Sequence, residues 1–277
     1  MKTIDKYSER LKSLIRARLE AVCSVPANWD FNQLLIGYFT IYSRRIENKK
    51  RKVVKSKEFT CPADLLSGLQ FLESKISNGE DLNPHQSRTI IKSDYQEKLF
   101  FDWGIVHFHL GTEFEESRPL IKGTKYVVFA IVTDEIIYFI NTYDHGHWEE
   151  VDVLNIVVSN WPELLAGCMV DGESEIEIGD QEVKDFRKVG LNTAIKLVDG
   201  NSYLGRGGGY TASGNSNQAM IDFLGFKEAL DTALQEMESE CPDIDDTKTL
   251  FKMEGDELRA IFPEKNEYYR LINLRPL

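Results

Sequence analysis

Three apolar segments of similar length constrain the fold more than any other feature of this chain. They cover residues 103–110, 125–132 and 136–143, and their β-branched and aromatic side chains favour strands. Only three residues, Thr133 to Glu135, separate the last two segments, which predicts a tight hairpin. Because nearly every position is apolar, rather than every second one, we expect a central sheet that is covered on both faces.

Helical periodicity surrounds these segments. Apolar residues recur at three- and four-residue steps over 4–23, which predicts an amphipathic helix whose outer face is basic. Asp30 is the predicted N-cap of a second helix. Further helices are predicted over the following ranges: 30–46, 63–77, 151–166 and 216–238. We expect the N-terminal helices to cover one face of the central sheet.

The C-terminal third is less regular. Residues 192–204 predict a pair of strands around a turn at Asp199 and Gly200, and the polar segment beyond residue 238 predicts one or two short helices. The acidic stretch 171–185 is the best candidate for a domain boundary.

These elements predict an α+β fold, with N-terminal helices packed on a mixed or antiparallel sheet and a small αβ C-terminal region. We expect a basic helical region over residues 1–60, an α+β core over 61–170 that carries the histidines, and an αβ region over 186–277. The three regions are also compatible with one continuous domain, since 277 residues suit one large domain or two of ordinary size.

Charge is distributed unevenly along the chain. The net charge is −12, yet residues 1–57 hold 14 Lys and Arg against 5 Asp and Glu, while the remainder holds 19 against 40. The N-terminal end therefore suits an anionic partner, and the acidic body suits a basic protein partner.

Cysteine usage and hydropathy indicate the compartment. The four cysteines are scattered without a Cys-x-x-Cys pair, which favours neither a disulfide framework nor a cysteine zinc site. No apolar run approaches the roughly 18–20 residues that cross a bilayer, and the N-terminus lacks the apolar centre of a signal peptide. We expect a cytoplasmic protein without a membrane partner.

The histidines are the most concentrated polar feature. All five lie between residues 85 and 147: His85, His107, His109, His145 and His147. On a strand, residues two apart share a face, so His107 and His109 point the same way. His145 and His147 follow the end of the last strand segment, and neighbouring strands can bring the two pairs together. His85 precedes the strands and is a further candidate for this histidine site.

Three interpretations of this cluster remain open. In the first, the histidines are structural and satisfy neighbouring backbone groups. In the second, His107, His109 and His145, with Asp144, bind a zinc ion, although no His-Glu-x-x-His motif is present. In the third, one histidine acts as a base and another as an acid on a phosphodiester while Arg118 stabilises charge on the phosphate oxygens, which suits RNA because its 2′-hydroxyl is an internal nucleophile.

The segment from Trp103 to Trp148, "WGIVHFHLGTEFEESRPLIKGTKYVVFAIVTDEIIYFINTYDHGHW", resembles the sheet core of RelE/ParE-like toxins. Many members of that superfamily are metal-independent ribonucleases that cut mRNA on the ribosome. The resemblance covers about 46 of 277 residues and rests on the pattern of strands. It implies an active-site region with these residues: Arg118, Lys125, His145 and His147, with His107 and His109 on an adjoining strand.

Two further segments invite a functional interpretation. Eight cations lie between Arg44 and Lys57, and a nucleic acid would meet the following six: Arg44, Arg45, Lys49, Lys50, Arg51 and Lys52. The alternative is a solvated loop with an outward charge run. The glycine-rich segment 205–215 lacks both the Gly-Lys-Ser/Thr ending of a phosphate loop and the GxGxxG spacing, so a flexible connector is the better interpretation, with Arg206 and Tyr210 as a secondary contact site.

The leading functional hypothesis is a metal-independent endoribonuclease that needs no cofactor, such as a bacterial toxin or phage-defence effector, with RNA bound through residues 44–57. Its candidate catalytic residues are His107, His109, Arg118, His145 and His147. The alternatives are a zinc-dependent hydrolase and a non-enzymatic nucleic-acid-binding or assembly module.

Overall fold

The computed structural model describes residues 3–93, 95, 97–144, 151–170, 179–189 and 191–274. The chain divides into two compact units, each assembled from separate segments. Unit 1 comprises Met1–Ser43, Ile91–Asp94 and Ala219–Leu277, and unit 2 comprises Arg44–Ile90 and Tyr95–Gln218. The region predicted over 1–60 contributes to both units, and the region predicted over 186–277 does so as well.

The described residues form seven α-helices. Their bounds are α1 Thr3–Glu20, α2 Phe31–Arg44, α3 Leu66–Asn78, α4 Lys98–Trp103, α5 Val151–Asn160, α6 Asp180–Lys188 and α7 Asn217–Glu240. No described helix is both long and apolar enough to span a membrane. Asp30 caps α2 as the sequence predicts, because its carboxylate accepts the Gln33 N–H at 2.8 Å while the Gln33 side chain accepts the Asp30 N–H at 2.9 Å.

Ten strands form three sheets in the described part of the chain. The strands are β1 Lys52–Lys55, β2 Ile105–His109, β3 Tyr126–Val132, β4 Ile136–Asp144, β5 Met169–Val170, β6 Ile195–Lys196, β7 Ser202–Tyr203, β8 Leu250–Glu254, β9 Glu257–Phe262 and β10 Glu267–Asn273. The sheets have the orders β1-β4-β3-β2, β5-β7-β6 and β10-β9-β8. The α+β class is confirmed, since the described residues combine seven helices with one mixed sheet and two antiparallel sheets.

Unit 1 packs α1, α2 and α7 with the antiparallel strands β8 to β10 around one apolar core. The apolar residues of α1 recur at three- and four-residue steps, and Ile4, Tyr7, Leu11, Ile15 and Leu19 are all at most 1% exposed. The N-terminal helices therefore do pack against an antiparallel sheet, but this sheet is the C-terminal one.

The prediction of one or two short helices after residue 238 is wrong for the segment that forms β8 to β10. The residues of β9 alternate, and Leu258, Ala260 and Phe262 face the core while their neighbours are half-buried. This period of two is the pattern of a strand with one covered face, and the high content of charged residues around it conceals the pattern.

Unit 2 is built on the four-stranded mixed sheet. The apolar segments form β2, β3 and β4, and β3 and β4 are joined by the tight turn that the sequence predicts. One face of the sheet packs with α5 and the other with α3, so the prediction of a doubly covered sheet is confirmed. The covering helices are α3 and α5, whereas α1 and α2 belong to the core of unit 1.

The small sheet of unit 2 also agrees with the sequence. β6 and β7 pair antiparallel around the turn at Asp199 and Gly200, where Gly200 has a φ of 86°. The Tyr203 hydroxyl donates to the Asp199 carboxylate at 2.6 Å and so ties the turn to the strand. Burial acts to raise the pKa of this carboxylate, but the hydrogen bonds that it accepts, from Tyr203 and Asn201 above all, together lower the pKa below its usual range.

Candidate functional site

His107 and His109 lie on β2, an edge strand of the central sheet. They stand opposite Phe129 and Val127 of β3, and their ring centroids are 5.8 Å apart with an angle of 75° between the planes. Both side chains are nearly buried, at 5% and 6% exposed. The prediction that the two imidazoles share one face of the strand is confirmed.

A polar cluster lies beside His107, and we call it the His107 cluster. Its members are Arg44, Gln86, Ser87, Thr89, Glu97 and His107. His107 Nδ1 lies 3.8 Å from Glu97 Oε1, and the Thr89 hydroxyl donates to Glu97 Oε2 at 2.9 Å. A guanidinium nitrogen of Arg44 lies 3.6 Å from the same carboxylate oxygen. Glu97 thus connects a buried arginine with a buried histidine.

The cluster leaves little free space. Arg44 is 3% exposed, and the cavity that the cluster lines with Ile90, Phe100 and Val106 measures about 10 Å³. That volume is about the minimum that holds one water molecule. Charged groups remain buried only when partners surround them, and those partners occupy the space around His107.

His109 has a different surrounding. Its Nδ1 accepts the backbone N–H of Thr124 at 3.0 Å, so the proton of the neutral ring lies on Nε2. A Cβ built on Gly123 would lie 3.6 Å from the ring and 3.9 Å from a guanidinium nitrogen of Arg88. Arg88 itself pairs with Glu115 at 2.5 Å on the surface. A cation therefore lies near His109 but is already balanced by a carboxylate.

His85 supports the backbone of β2. Its side chain is fully buried, and its Nδ1–H donates to the His109 carbonyl oxygen at 2.9 Å. Its Nε2 is buried without a hydrogen-bond partner among the described residues. Burial lowers the pKa of His85 below the ordinary value of 6.5, so the ring is neutral at neutral pH. Its contact is structural, with the backbone of β2.

The remaining candidates of the histidine site lie elsewhere or outside the described residues. Arg118 and Lys125 are exposed in the sequence between β2 and β3, and the Lys125 ammonium lies over the Tyr126 ring at 5.3 Å. His145 and His147 fall in residues 145–150, which are outside the described part of the chain. The convergence of the two histidine pairs stays a prediction.

The described residues contain no group of three or more His, Cys, Asp or Glu side chains placed to hold a metal ion. Glu97 is a carboxylate beside His107, and its Oε1 lies 3.8 Å from the His107 Nδ1. The zinc alternative thus draws no support from the described side chains.

The basic segment divides into buried and exposed cations. Arg44 is paired with Glu97, and Arg51, 8% exposed, donates to the backbone oxygens of Thr133 and Glu47. These two side chains point inward, so they cannot contact a nucleic acid as the sequence suggests. The predicted cations that remain at the surface are Arg45, Lys49, Lys50 and Lys52, with Arg45 half-buried. In a segment where most residues are charged, the sequence pattern does not distinguish Arg44 and Arg51, which bond to backbone oxygens, from the cations exposed to solvent.

Sequence reasoning missed Glu97 as a partner of His107. Glu97 precedes the short helix α4, and ten residues separate it from His107. No motif spacing signals the pair, because it depends on how α4 turns the chain back toward β2.

No protein family model, no curated protein and no solved structure significantly matches this chain.

Proposed function

We propose that unit 2 catalyses metal-independent cleavage of RNA, with His107 and His109 as the groups that contact the reacting phosphodiester. The proposal is supported chiefly by the complementary surroundings of the two adjacent imidazoles. A carboxylate lies beside Nδ1 of His107, whereas Nδ1 of His109 accepts a backbone N–H.

These surroundings favour different protonation states at the two outer nitrogens. The Glu97 carboxylate favours a proton on Nδ1 of His107, which leaves Nε2 with a lone pair that can act as a base. The Thr124 N–H favours the tautomer of His109 with Nε2–H, which can donate a hydrogen bond to a phosphate oxygen. One ring is thus suited to accept a proton and the other to stabilise negative charge.

The reaction needs no group beyond these and the RNA. His107 Nε2 takes the proton of the 2′-hydroxyl, and the 2′-oxygen attacks phosphorus. The bond from phosphorus to the 5′-oxygen breaks, and the imidazolium of His107 returns its proton to that oxygen. The products are a 2′,3′-cyclic phosphate and a free 5′-hydroxyl.

Access is the main structural requirement of this proposal. At 5% and 6% exposed, the two rings do not admit a phosphodiester as they stand. Cleavage therefore requires the residues packed over His107 and His109 to move aside. The exposed Lys49, Lys50 and Lys52 would contact RNA phosphates outside the site.

The test uses a mixed-sequence RNA in excess EDTA. We expect cleavage to products with 2′,3′-cyclic phosphate ends, and no cleavage of the same strand with 2′-O-methyl riboses. Acid–base groups contribute roughly 100- to 10,000-fold, so His107→Ala should lower the rate at least about 100-fold. Glu73→Gln, on the surface of the same unit, should keep the rate. The proposed reaction is excluded if no RNA is cut, if 2′-O-methyl RNA is cut equally, or if His107→Ala is fully active.

A salt titration tests the basic surface separately. Each phosphate contact to single-stranded nucleic acid contributes about 0.7 to the slope of log affinity against log salt. Replacing Lys49, Lys50 and Lys52 by Ala should therefore reduce the slope for RNA binding by about 2. The matched control replaces three exposed lysines of unit 1, Lys248, Lys252 and Lys265. An unchanged slope in the triple variant would exclude this surface.

A further inference from the structure

A second recess of unit 2 has room for a ligand, unlike the tightly packed His107 cluster. It is a cavity of about 280 Å³, and we call it the loop pocket. It is lined by the end of α4, by α6, by the segment before β6 and by the glycine-rich loop: Asp102, Trp103, Val183, Leu191, Asn192, Thr193, Ile195, Leu204, Gly205, Gly208 and Gly209. The proposed cleavage reaction uses none of these residues.

The glycine-rich loop is fixed to the end of α4 rather than flexible. The Gly207 N–H donates to the backbone carbonyl oxygen of Asp102 at 2.8 Å, and the Gly209 N–H donates to that of Phe101 at 2.9 Å. A Cβ on Gly207 would lie 2.3 Å from the Phe101 carbonyl oxygen, so only glycine permits this approach. The interpretation of residues 205–215 as a flexible connector is therefore wrong for the part that meets α4.

Asn192 fixes the other side of the loop. The side-chain NH2 of Asn192 donates to the backbone carbonyl oxygen of Tyr210, and its side-chain oxygen accepts the Tyr210 backbone N–H, both at 2.8 Å. Gly209, with a φ of 76°, leaves room for this amide, since a Cβ there would lie 2.0 Å from the Asn192 Oδ1. The wall of the pocket is thus held by backbone and amide hydrogen bonds before any ligand arrives, which lowers the entropic cost of binding.

The lining excludes an anionic ligand. The amides of Gly207 and Gly209 donate to α4 carbonyls, so they do not form a phosphate cradle. None of the described residues that line the pocket is Lys, Arg or His, and Asp102 adds an acidic group. A phosphate or carboxylate would therefore lose its hydration without gaining a cation.

The lining favours an apolar ring. Trp103, Val183 and Ile195 form a buried apolar floor, and Leu191 and Leu204 extend it to the rim, where they are 56% and 45% exposed. A ligand that buries these two leucine side chains would gain favourable hydrophobic free energy of binding. A cavity of about 150 Å³ holds benzene, so a pocket nearly twice as large suits two fused rings. The half-buried Thr193 supplies a hydroxyl for one hydrogen bond.

We infer that the loop pocket is a binding site for an uncharged, planar two-ring aromatic compound. The ring lies against Trp103 between Leu191 and Leu204, and a ring N–H donates to the Thr193 hydroxyl oxygen, whose own hydrogen is directed at the Ala194 carbonyl oxygen. The site is independent of the proposed RNA cleavage, since it shares no residue with His107 and His109.

The test is a calorimetric titration of the full chain with indole, and with indole-5-carboxylate as its anionic match. For a ligand of this size we expect saturable binding of indole with a Kd on the order of 0.1 mM and at least tenfold weaker binding of the carboxylate. Leu204→Trp should fill the rim and weaken indole binding at least tenfold. Val198→Trp, equally bulky at a position that is 67% exposed and outside the lining, should leave it unchanged.

Leu191→Trp provides a second blocking variant, and urea midpoints confirm that each variant folds. Loss of binding in both blocking variants, with retention in Val198→Trp, supports the site. The inference is overturned if indole does not saturate by about 2 mM, if both blocking variants bind like the parent protein, or if the carboxylate binds as tightly as indole.

Discussion

The His107 cluster and the loop pocket lie at opposite ends of the same short helix and differ in what they offer. Glu97 precedes α4 and joins buried charged and polar side chains around a cavity of about 10 Å³, whereas Trp103 ends α4 and faces a cavity of about 280 Å³. Buried charges need partners, and those partners fill space. The glycines of the loop have no side chains, so the loop backbone approaches α4 closely, as it does at Gly205 and Gly207.

Groups capable of proton transfer and space for a ligand therefore occur in different parts of this unit. The imidazoles occur where the sheet edge is tightly packed, while the ligand-sized recess is lined by residues without acid–base chemistry, Asp102 apart. Three perturbations test whether each region is held together in the way its contacts suggest.

The largest effect is expected from Glu97→Gln in the His107 cluster. The substitution removes the carboxylate that lies 3.6 Å from the Arg44 guanidinium, whose side chain is 3% exposed. Removing one partner of a buried ion pair costs about 3–5 kcal/mol, and we expect a loss near the lower bound because Arg44 has further contacts, for example to the Tyr95 oxygen. Urea unfolding measures the loss.

The control is Glu73→Gln in the same unit. Glu73 pairs with Lys55 at 2.6 Å, but both side chains are substantially exposed, at 29% and 39%. Such pairs contribute about 0–1 kcal/mol to the free energy of unfolding. If both variants lose the same free energy of unfolding, the buried Arg44–Glu97 pair stabilises the fold no more than the Lys55–Glu73 pair does.

The loop pocket should be sensitive to a single added methyl group. Gly209→Ala introduces a Cβ at a φ of 76° and 2.0 Å from the Asn192 Oδ1, so it strains the backbone and displaces the amide that holds Tyr210. We expect a loss of about 2–3 kcal/mol in the free energy of unfolding, together with altered pocket geometry.

Gly200→Ala separates the two causes of that loss. Gly200 has a φ of 86°, but nothing lies within 4 Å of a Cβ placed there. This variant should lose about 1 kcal/mol, which is the conformational cost alone. If Gly209→Ala costs no more than Gly200→Ala, the close approach to Asn192 does not stabilise the loop.

The sequence could predict much of the fold because the relevant signals are local. The apolar runs identify β2, β3 and β4, and the three-residue spacer between 132 and 136 sets their hairpin. The heptad-like spacing of α1 and the cap at Asp30 are local as well. The alternation in β9 was equally local, but charged neighbours diluted it.

The contacts that define both regions are not local, and the sequence did not reveal them. Arg44 and Glu97 are 53 residues apart, and Asn192 meets Tyr210 18 residues later. The burial of Arg44 and Arg51 within a strongly basic segment depends on the same long-range packing. The prediction of paired histidines succeeded where the period of two on one strand was sufficient, as for His107 and His109.

The smallest effect is expected from the titration of His85, which holds the backbone of β2 beside the His107 cluster. The folded pKa of His85 lies below 6.5 because burial disfavours its charged form, whereas the unfolded chain titrates near 6.5. The unfolded state therefore binds the proton first as pH falls, and the native state loses stability from about pH 6.5 down to the folded pKa, at up to about 1.4 kcal/mol per pH unit. His85→Asn keeps a donor for the His109 oxygen but does not titrate, so the difference in unfolding free energy between parent and variant should shift toward the variant below pH 6.5. A difference that stays constant from about pH 8 to pH 5 would show that His85 is as easily protonated in the folded protein as in the unfolded chain.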